Sequence, residues 1–320
     1  MELEQIYAPI QQDLNKVKET LKSISRIDYK WLSEQLNYIV NETGKGMRPA
    51  LTLLAGKLYE YDLKYLLPMA VSVELMHTAT LVHDDAIDKA LTRRGQATIN
   101  SKWGDEIAIL MGDFLFAKAG EFVSDTQTPR VIKLFSQTLG IISSGEIGQF
   151  RGAYNIKQNR ESYFQRIYRK TGSLFSLATQ SGAILGKAPE NSVAIMKEYA
   201  DNLGIAFQIV DDVLDFTSTE EALGKPVGSD LIQGTLTLPA MLIIERNPED
   251  NPVKRFFETR DKKNVAEAID IVRNTEIIKD CYKIAGEYCD NACRNLKSLP
   301  QTTSRQTLYD LAEFVIKQGT

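Results

Sequence analysis

The sequence contains few of the features that define several protein classes. Its 320 residues include 3 cysteines, 10 prolines, 2 histidines and 2 tryptophans. The cysteines Cys281, Cys289 and Cys293 are an odd set near one end, which excludes a disulfide scaffold and suits a reducing compartment. Basic residues are not in excess, with 38 Lys and Arg against 42 Asp and Glu, which argues against a general nucleic-acid binder.

Long apolar runs are also missing. No run approaches 18 consecutive apolar residues, so we expect no membrane span and at most peripheral membrane contact. The opening Met-Glu-Leu-Glu-Gln has neither the basic nor the apolar part of a signal peptide, and we therefore expect a cytoplasmic protein. Hydrophobic content of 43% and charged content of 25% are ordinary for a globular chain, which excludes disorder.

The apolar residues recur at helical spacing. Leu203, Phe207, Val210 and Leu214 form one stripe of a helix, and alternating β-branched runs are scarce. Prolines leave long windows free for helices, because proline inside a helix costs about 3 kcal/mol. Breaks are expected near 44–49, 61–68, 94–95, 125–129, 186–189, 223–234 and 247–252. None of them is a long flexible linker, so we predict a single all-α domain over residues 1–320.

Two acidic clusters stand inside this helical pattern. Each reads Asp-Asp-x-x-Asp, at Asp84 to Asp88 and at Asp211 to Asp215. Asp84 with Asp88, and Asp211 with Asp215, are i,i+4 neighbours on one helical face and repel each other. Carboxylates without Cys or a matching His favour Mg²⁺, which is usually bound jointly with substrate phosphates. Without the six clustered aspartates the chain has 36 acidic and 38 basic residues, so one proposed magnesium site accounts for the whole acidic excess.

Residues near the clusters extend the same faces. Gly204, Gln208, Asp211 and Asp215 form a single stripe, and His77 lies seven residues before Asp84 along the same groove. Cations occur in short pieces bounded by Gly or Pro. These are Gly44-Lys45-Gly46-Met47-Arg48-Pro49, Arg93-Arg94-Gly95, Lys170-Thr171-Gly172 and Gly224-Lys225-Pro226. Together with the acidic clusters they predict a pocket for small phosphorylated substrates with an apolar body.

In their order along the chain these motifs resemble those of the trans-isoprenyl diphosphate synthases. The resemblance also includes Gly112-Asp113, the Glu-x-x-Gln pair Glu146 and Gln149, and the segment Gly224 to Leu231. It implies an all-α bundle around a deep apolar cavity, with the two Asp helices facing each other across its mouth. It also implies a homodimer, or the catalytic subunit of a heterodimer.

The resemblance further implies the substrates and the residues that bind them. Isopentenyl diphosphate is joined to an allylic diphosphate primer, and pyrophosphate is released. About three Mg²⁺ ions bind the allylic diphosphate through Asp84, Asp88 and Asp211, with Asp85, Asp212 and Asp215 supporting. Isopentenyl diphosphate is held by Lys45, Arg48, His77 and Arg94. The allylic diphosphate is held by Arg93, Lys170, Thr171, Gln208 and Lys225.

One departure concerns the segment after the second cluster, where Thr235 replaces a lysine that the family often has. Product length is set in this family by bulky residues just before the first cluster, and those positions here hold Ala79 and Thr80, then Met76 and Val73. Helical geometry favours Thr80 and Val73 over Ala79 as cavity liners.

Since none of these positions is Phe or Tyr, we expect an all-trans product of about 30 to 50 carbons, with Met76 and Phe135 as a deeper floor. A farnesyl or geranylgeranyl diphosphate synthase remains the alternative. A class I terpene cyclase is less favoured, because it usually lacks a second Asp-rich cluster.

Overall fold

The computed structural model describes residues 2–41, 44–220 and 226–317, and most of these residues lie in helices. The buried apolar residues form one core that extends from Ile6 to Val315. The α-helices are α1 Leu3–Ile6, α2 Gln11–Ser23, α3 Lys30–Asn41, α4 Met47–Gly56, α5 Leu63–Ile87, α6 Ile99–Trp103, α7 Asp105–Asp125, α8 Pro129–Gly152, α9 Arg160–Ile167, α10 Ser173–Leu185, α11 Glu190–Thr217, α12 Ser229–Ile232, α13 Leu238–Arg246, α14 Pro252–Thr259, α15 Lys262–Asn274, α16 Ile277–Arg294 and α17 Thr303–Lys317. Short 3₁₀ turns cover Ala8–Ile10 and Leu296–Ser298.

The helix α5 is the central element and ends in the first acidic cluster. It begins after Asp62, whose carboxylate accepts a hydrogen bond from the backbone N–H of Lys64 and so caps the helix. Long stretches of α5 are buried on several sides, and it packs most extensively against α7. Of the described helices, only α5 is long and apolar enough to cross a membrane by length and composition, and 56% of its most apolar window is buried inside the protein.

A two-stranded hairpin follows α5 and carries the two adjacent arginines. Strand β1, Thr92–Arg93, pairs antiparallel with β2, Gln96–Ala97. The two turn residues, Arg94 and Gly95, both have positive φ, at 50° and 78°, as a two-residue hairpin turn of type I′ requires. An arginine in this left-handed region is uncommon, and here the turn presents Arg94 to the mouth of the bundle.

Between α9 and α10 the chain forms a π-helical turn, Tyr168–Gly172, which carries Lys170 and Thr171. Such turns are rare and frequently occur at functional sites. The backbone of this turn lies in close contact with the backbone of α11. A Cβ added at Gly204 would lie only 2.6 Å from the Cα of Gly172. The small residue at Gly204 therefore sets how closely Thr171 approaches the second acidic cluster.

Candidate active site

A cavity of about 820 Å³ lies at the C-terminal ends of α5, α8 and α11. The segment before α4, the hairpin, the π-helical turn and residues 230–237 complete its wall. Residues from both acidic clusters and from three of the short basic segments therefore meet in one place. The predicted residues that line this cavity are Lys45, Arg48, His77, Thr80, Asp84, Asp88, Arg93, Arg94, Lys170, Thr171, Gln208, Asp211, Asp212 and Asp215.

Two further predicted site residues are Lys225 and Asp85. Lys225 lies outside the described residues. Asp85 is buried behind the cavity, where both of its carboxylate oxygens accept hydrogen bonds from the Arg93 guanidinium at 2.7–3.0 Å. This ion pair holds the hairpin against α5, and the carboxylate of Asp85 raises the pKa of Arg93 despite the opposing effect of burial. Asp85 thus supports the first cluster through Arg93.

Lys170 lies between two carboxylates on the cavity wall. Its Nζ is 3.0 Å from Glu146 Oε1 and 3.5 Å from Asp84 Oδ2. Burial lowers the pKa of Lys170, but the charges of Asp84 and Glu146 outweigh it and raise that pKa above its ordinary value. Lys170 is therefore charged at neutral pH and stands next to the first acidic cluster, where it can bind an anionic group.

The first cluster has the carboxylates of a magnesium site whose remaining ligands would come from water and from substrate phosphates. Partial burial and the nearby charges of Asp84 and Asp230 raise the pKa of Asp88, so a cation would be bound favourably here. Throughout residues 2–41, 44–220 and 226–317, no three His, Cys, Asp or Glu side chains lie close enough to hold a metal ion by themselves. Mg²⁺ usually takes one or two carboxylates and completes its shell with waters and phosphates, so the residues present fit it.

In the second cluster the carboxylates have different surroundings. Asp212 is 3% exposed and accepts hydrogen bonds from Gln208 Nε2 and Tyr163 Oη. Asp215 is also buried and accepts from Ser229 Oγ at 3.0 Å and from the backbone N–H of Asp230 at 3.3 Å. These contacts bury Asp212 and Asp215 in the cavity wall, which Asp211 also lines.

A second group of cations lines the cavity at the start of α4 and in the hairpin turn. The Arg48 guanidinium stacks over the Phe175 ring at 5.0 Å, and its Nε finds no hydrogen-bond partner within the described chain. Burial lowers the pKa of Arg48 to about 10, which leaves it charged at pH 7. Burial, aided by Arg48 and Arg94, lowers the pKa of His77 well below its ordinary value, so the imidazole is neutral.

Several cavity residues have no role in the sequence analysis. They are Glu74, Leu81, Ile142, Glu146, Gln149, Arg166, Ile167, Phe207, Leu214, Asp230, Gln233 and Thr237. Glu146 and Gln149 stand in a recognisable motif, and Glu74 lies one helical turn before His77, so their positions gave some signal. Asp230 stands in the motif segment Gly224 to Leu231, whereas Arg166 gave no signal beyond charge, since its contact with the Leu236 carbonyl oxygen joins distant parts of the chain.

The residues expected to set product length divide into two groups. Thr80 lines the cavity, and Val73, Met76, Ala79 and Phe135 are buried in the core outside its lining. The apolar lining is instead formed by Met47, Leu81, Ile142, Ile167, Phe207 and Leu214.

Comparisons with known proteins cover nearly the whole chain. The family described as polyprenyl synthetase matches residues 29–274. Heptaprenyl diphosphate synthase component 2 of Geobacillus stearothermophilus is 36% identical over 318 residues, which cover 99% of each chain. Heptaprenyl diphosphate synthase from Staphylococcus aureus has a TM-score of 0.92 and 34% identity, covering 97% of this chain and 99% of the other. A polyprenyl synthase from Caulobacter crescentus, solved with calcium and isoprenyl diphosphate, has a TM-score of 0.94 and 28% identity, covering 100% and 98%.

Proposed function

The chain belongs to the polyprenyl synthetase family, and we propose that it joins isopentenyl diphosphate to an allylic diphosphate in a Mg²⁺-dependent reaction. The product is an all-trans polyprenyl diphosphate of about 30 to 50 carbons. The observation that carries this proposal is the single cavity in which both acidic clusters face Lys45, Arg48, Arg94 and Lys170. A related polyprenyl synthase crystallised with a divalent cation and isoprenyl diphosphate supports the same chemistry.

The allylic diphosphate would occupy the half of the cavity between α5 and α11. Lys170, Arg93 and Gln208 would donate to its oxygens, and Asp84, Asp88 and Asp211 would hold about three Mg²⁺ ions with it. Bound there, Mg²⁺ would neutralise charge that builds up on the departing pyrophosphate. Lys170 would add a fixed positive charge next to that leaving group, which is stabilisation of developing charge by a preorganised site.

Isopentenyl diphosphate would bind in the half next to α4. Lys45, Arg48 and Arg94 would supply positive charge, and neutral His77 would add a hydrogen bond without a further charge. The Arg94 guanidinium already lies against Gly44, since a Cβ there would come within 2.8 Å of Arg94 Nη2. The hairpin turn and the segment before α4 therefore meet in this half of the cavity.

The bond-forming step would take place just below these charges. As the allylic C–O bond breaks, the isopentenyl double bond attacks the resulting cation, and a proton leaves with the pyrophosphate. Leu81, Ile142 and Phe207 line the apolar part of the cavity and would keep water from the cation. The aromatic face of Phe207 would also stabilise positive charge next to it.

We further propose that two copies of the chain pair through α7 and α8. Ile109 and Leu110 of α7, and Ile147 and Phe150 of α8, are 50% to 76% exposed. A short connection joins α7 to α8. At 1.5 Å per residue, Ile109 lies about 24 Å along α7 from this connection and Ile147 lies about 27 Å along α8, so the two side chains are at similar heights. A two-helix face of this kind can pair with its own copy about a twofold axis. The cytoplasmic location and the single domain also remain proposals.

Activity and gel filtration of the purified chain test these proposals. We expect labelled isopentenyl diphosphate to be incorporated with Mg²⁺ and one of the three common allylic primers, and a particle of twice 35.9 kDa. No turnover with any primer would refute a stand-alone synthase. A monomer that becomes active only with a second protein would instead identify the catalytic subunit of a heterodimer.

A further inference from the structure

A chain of hydrogen bonds runs from Tyr163 of α9, behind the cavity wall, to three residues that line the cavity. Tyr163 of α9 is fully buried, and its Oη donates to Asp212 Oδ2 at 2.7 Å. The other oxygen, Asp212 Oδ1, accepts from Gln208 Nε2 at 2.9 Å. Gln208 Oε1 in turn accepts from Thr171 Oγ1 at 2.6 Å. Four side chains from three elements are thus joined in one line.

The direction of this line is fixed by chemistry. When ionised, Asp212 only accepts hydrogen bonds, so the Gln208 amide must point its NH₂ group at Asp212 and its oxygen at Thr171. The single hydroxyl proton of Thr171 is then used within the protein. The second hydrogen of Gln208 Nε2 remains as a donor, and Gln208 lines the cavity. The hydrogen bond to Asp212 therefore fixes the orientation of the Gln208 amide, and this orientation makes Nε2 the group that donates into the cavity.

Tyr163 is itself firmly held and does not line the cavity. The Arg166 guanidinium lies over the Tyr163 ring at 5.5 Å. Arg166 also donates to the Leu236 carbonyl oxygen and, at 2.8 Å, to Gln158 Oε1. These contacts fix the ring from the side that faces residues 235–237, so the Tyr163 hydroxyl has one position from which to hold Asp212.

We infer that Tyr163 is a positioning residue for the allylic half of the site, acting through Asp212 and Gln208 without touching the substrate. The inference rests on the proposed function, because it assigns the wall formed by Thr171, Gln208 and Asp211 to the allylic diphosphate. Without the Tyr163 hydroxyl, Asp212 Oδ2 is left buried without this donor, and the carboxylate can rotate away from Gln208.

The test replaces Tyr163 by phenylalanine and uses Tyr199→Phe as a matched control. Tyr199 is equally buried, on α11, and its hydroxyl donates to the Leu308 carbonyl oxygen at 2.7 Å, away from the cavity. Both variants lose one buried hydrogen bond, so both should melt at a somewhat lower temperature. Only Tyr163→Phe should raise the KM for the allylic primer, by about five- to tenfold, which corresponds to about 1–1.4 kcal/mol, the net contribution of one typical hydrogen bond. Its KM for isopentenyl diphosphate should stay within about twofold.

A binding measurement without turnover gives a second readout. Pyrophosphate with Mg²⁺ raises the melting temperature of a protein that binds it only when folded. The Tyr163→Phe variant should need about five- to tenfold more pyrophosphate than wild type for the same rise, and Tyr199→Phe should not. Asp212→Asn should raise the primer KM in the same direction, and combining it with Tyr163→Phe should give less than the product of the two effects.

Equal primer KM and equal pyrophosphate response in the two phenylalanine variants would overturn the role of Tyr163. Fully multiplicative effects of Tyr163→Phe and Asp212→Asn would overturn it as well, because the hydroxyl would then not act through Asp212. Wild-type protein that turns over no primer would refute the proposed function instead, so the two failures are distinguishable.

Discussion

Replacing Thr80 by phenylalanine should shorten the product. Thr80 lies four residues before Asp84, Ile142 four before Glu146, and Phe207 four before Asp211, so all three sit about 6 Å below the carboxylates at 1.5 Å per residue. Each five-carbon unit adds four bonds of about 1.5 Å and so extends a chain by about 5 Å. A phenyl ring in this layer, about one five-carbon unit below the carboxylates, should therefore stop growth after one or two units and give about 10 carbons rather than 30 or more.

Chromatography of the products after removal of the diphosphate measures this directly. Thr80→Val is the matched control, because it keeps the side-chain volume and loses only the local hydrogen bond from Thr80 Oγ1 to the His77 carbonyl oxygen. We expect the control to give wild-type length. If Thr80→Phe melts like wild type and still makes the wild-type product, the growing chain does not pass between α5, α8 and α11, and the reasoning fails.

Three further predictions concern the depth of the cavity, the backbone contact at Gly204 and the dependence of stability on pH. Phe135→Ala and Met76→Ala should lengthen the product by one or more five-carbon units, and unchanged length in both removes them as floor residues. Gly204→Val should lower the free energy of unfolding by about 1–3 kcal/mol, because its Cβ would meet the Gly172 Cα at 2.6 Å; urea unfolding that matches wild type would contradict this. His77 has a lowered pKa in the folded protein. Below its ordinary pKa of about 6.5 the unfolded chain therefore binds a proton that the folded chain does not. Stability should fall with decreasing pH by up to ~1.4 kcal/mol per unit. His77→Gln should remove this slope between pH 7 and 5, and an unchanged slope in urea titrations would count against it.

The helical fold was predictable from the sequence because apolar residues at three- and four-residue spacing dominate it. Proline was a less accurate guide to where helices begin. Pro49 lies in the first turn of α4, where a missing N–H costs nothing. Pro68 lies inside α5, five residues after its start at Leu63. The break expected over residues 61–68 therefore ends at Asp62. Pro68 has no N–H for the carbonyl oxygen four residues earlier, but that carbonyl belongs to Lys64, which is exposed.

Which residues belong to the site was easier to predict than which of them form hydrogen bonds with one another. Spacing alone placed His77 with Asp84, and Gln208 with Asp211, on faces that do line the cavity. The partners of these residues come from elsewhere in the chain, as Tyr163 does, 49 residues before Asp212. Nothing local marks such a partner, because a buried tyrosine at helical spacing has the same pattern as any core aromatic. Pairing of this kind follows from how helices pack and not from the spacing within one helix.

The two Asp-Asp-x-x-Asp clusters have the same letters but different electrostatics. The middle aspartate of the first, Asp85, is paired with the Arg93 guanidinium. The middle aspartate of the second, Asp212, takes its hydrogen bonds from the uncharged groups of Tyr163 and Gln208, and burial, followed by the charge of Asp230, raises the pKa of Asp212 to about 7. The second cluster therefore gains negative charge as the pH rises through neutrality. Its affinity for cations should depend on the hydrogen bonds that hold Asp212 ionised, which is why a buried hydroxyl on α9 can matter to a diphosphate that it never contacts.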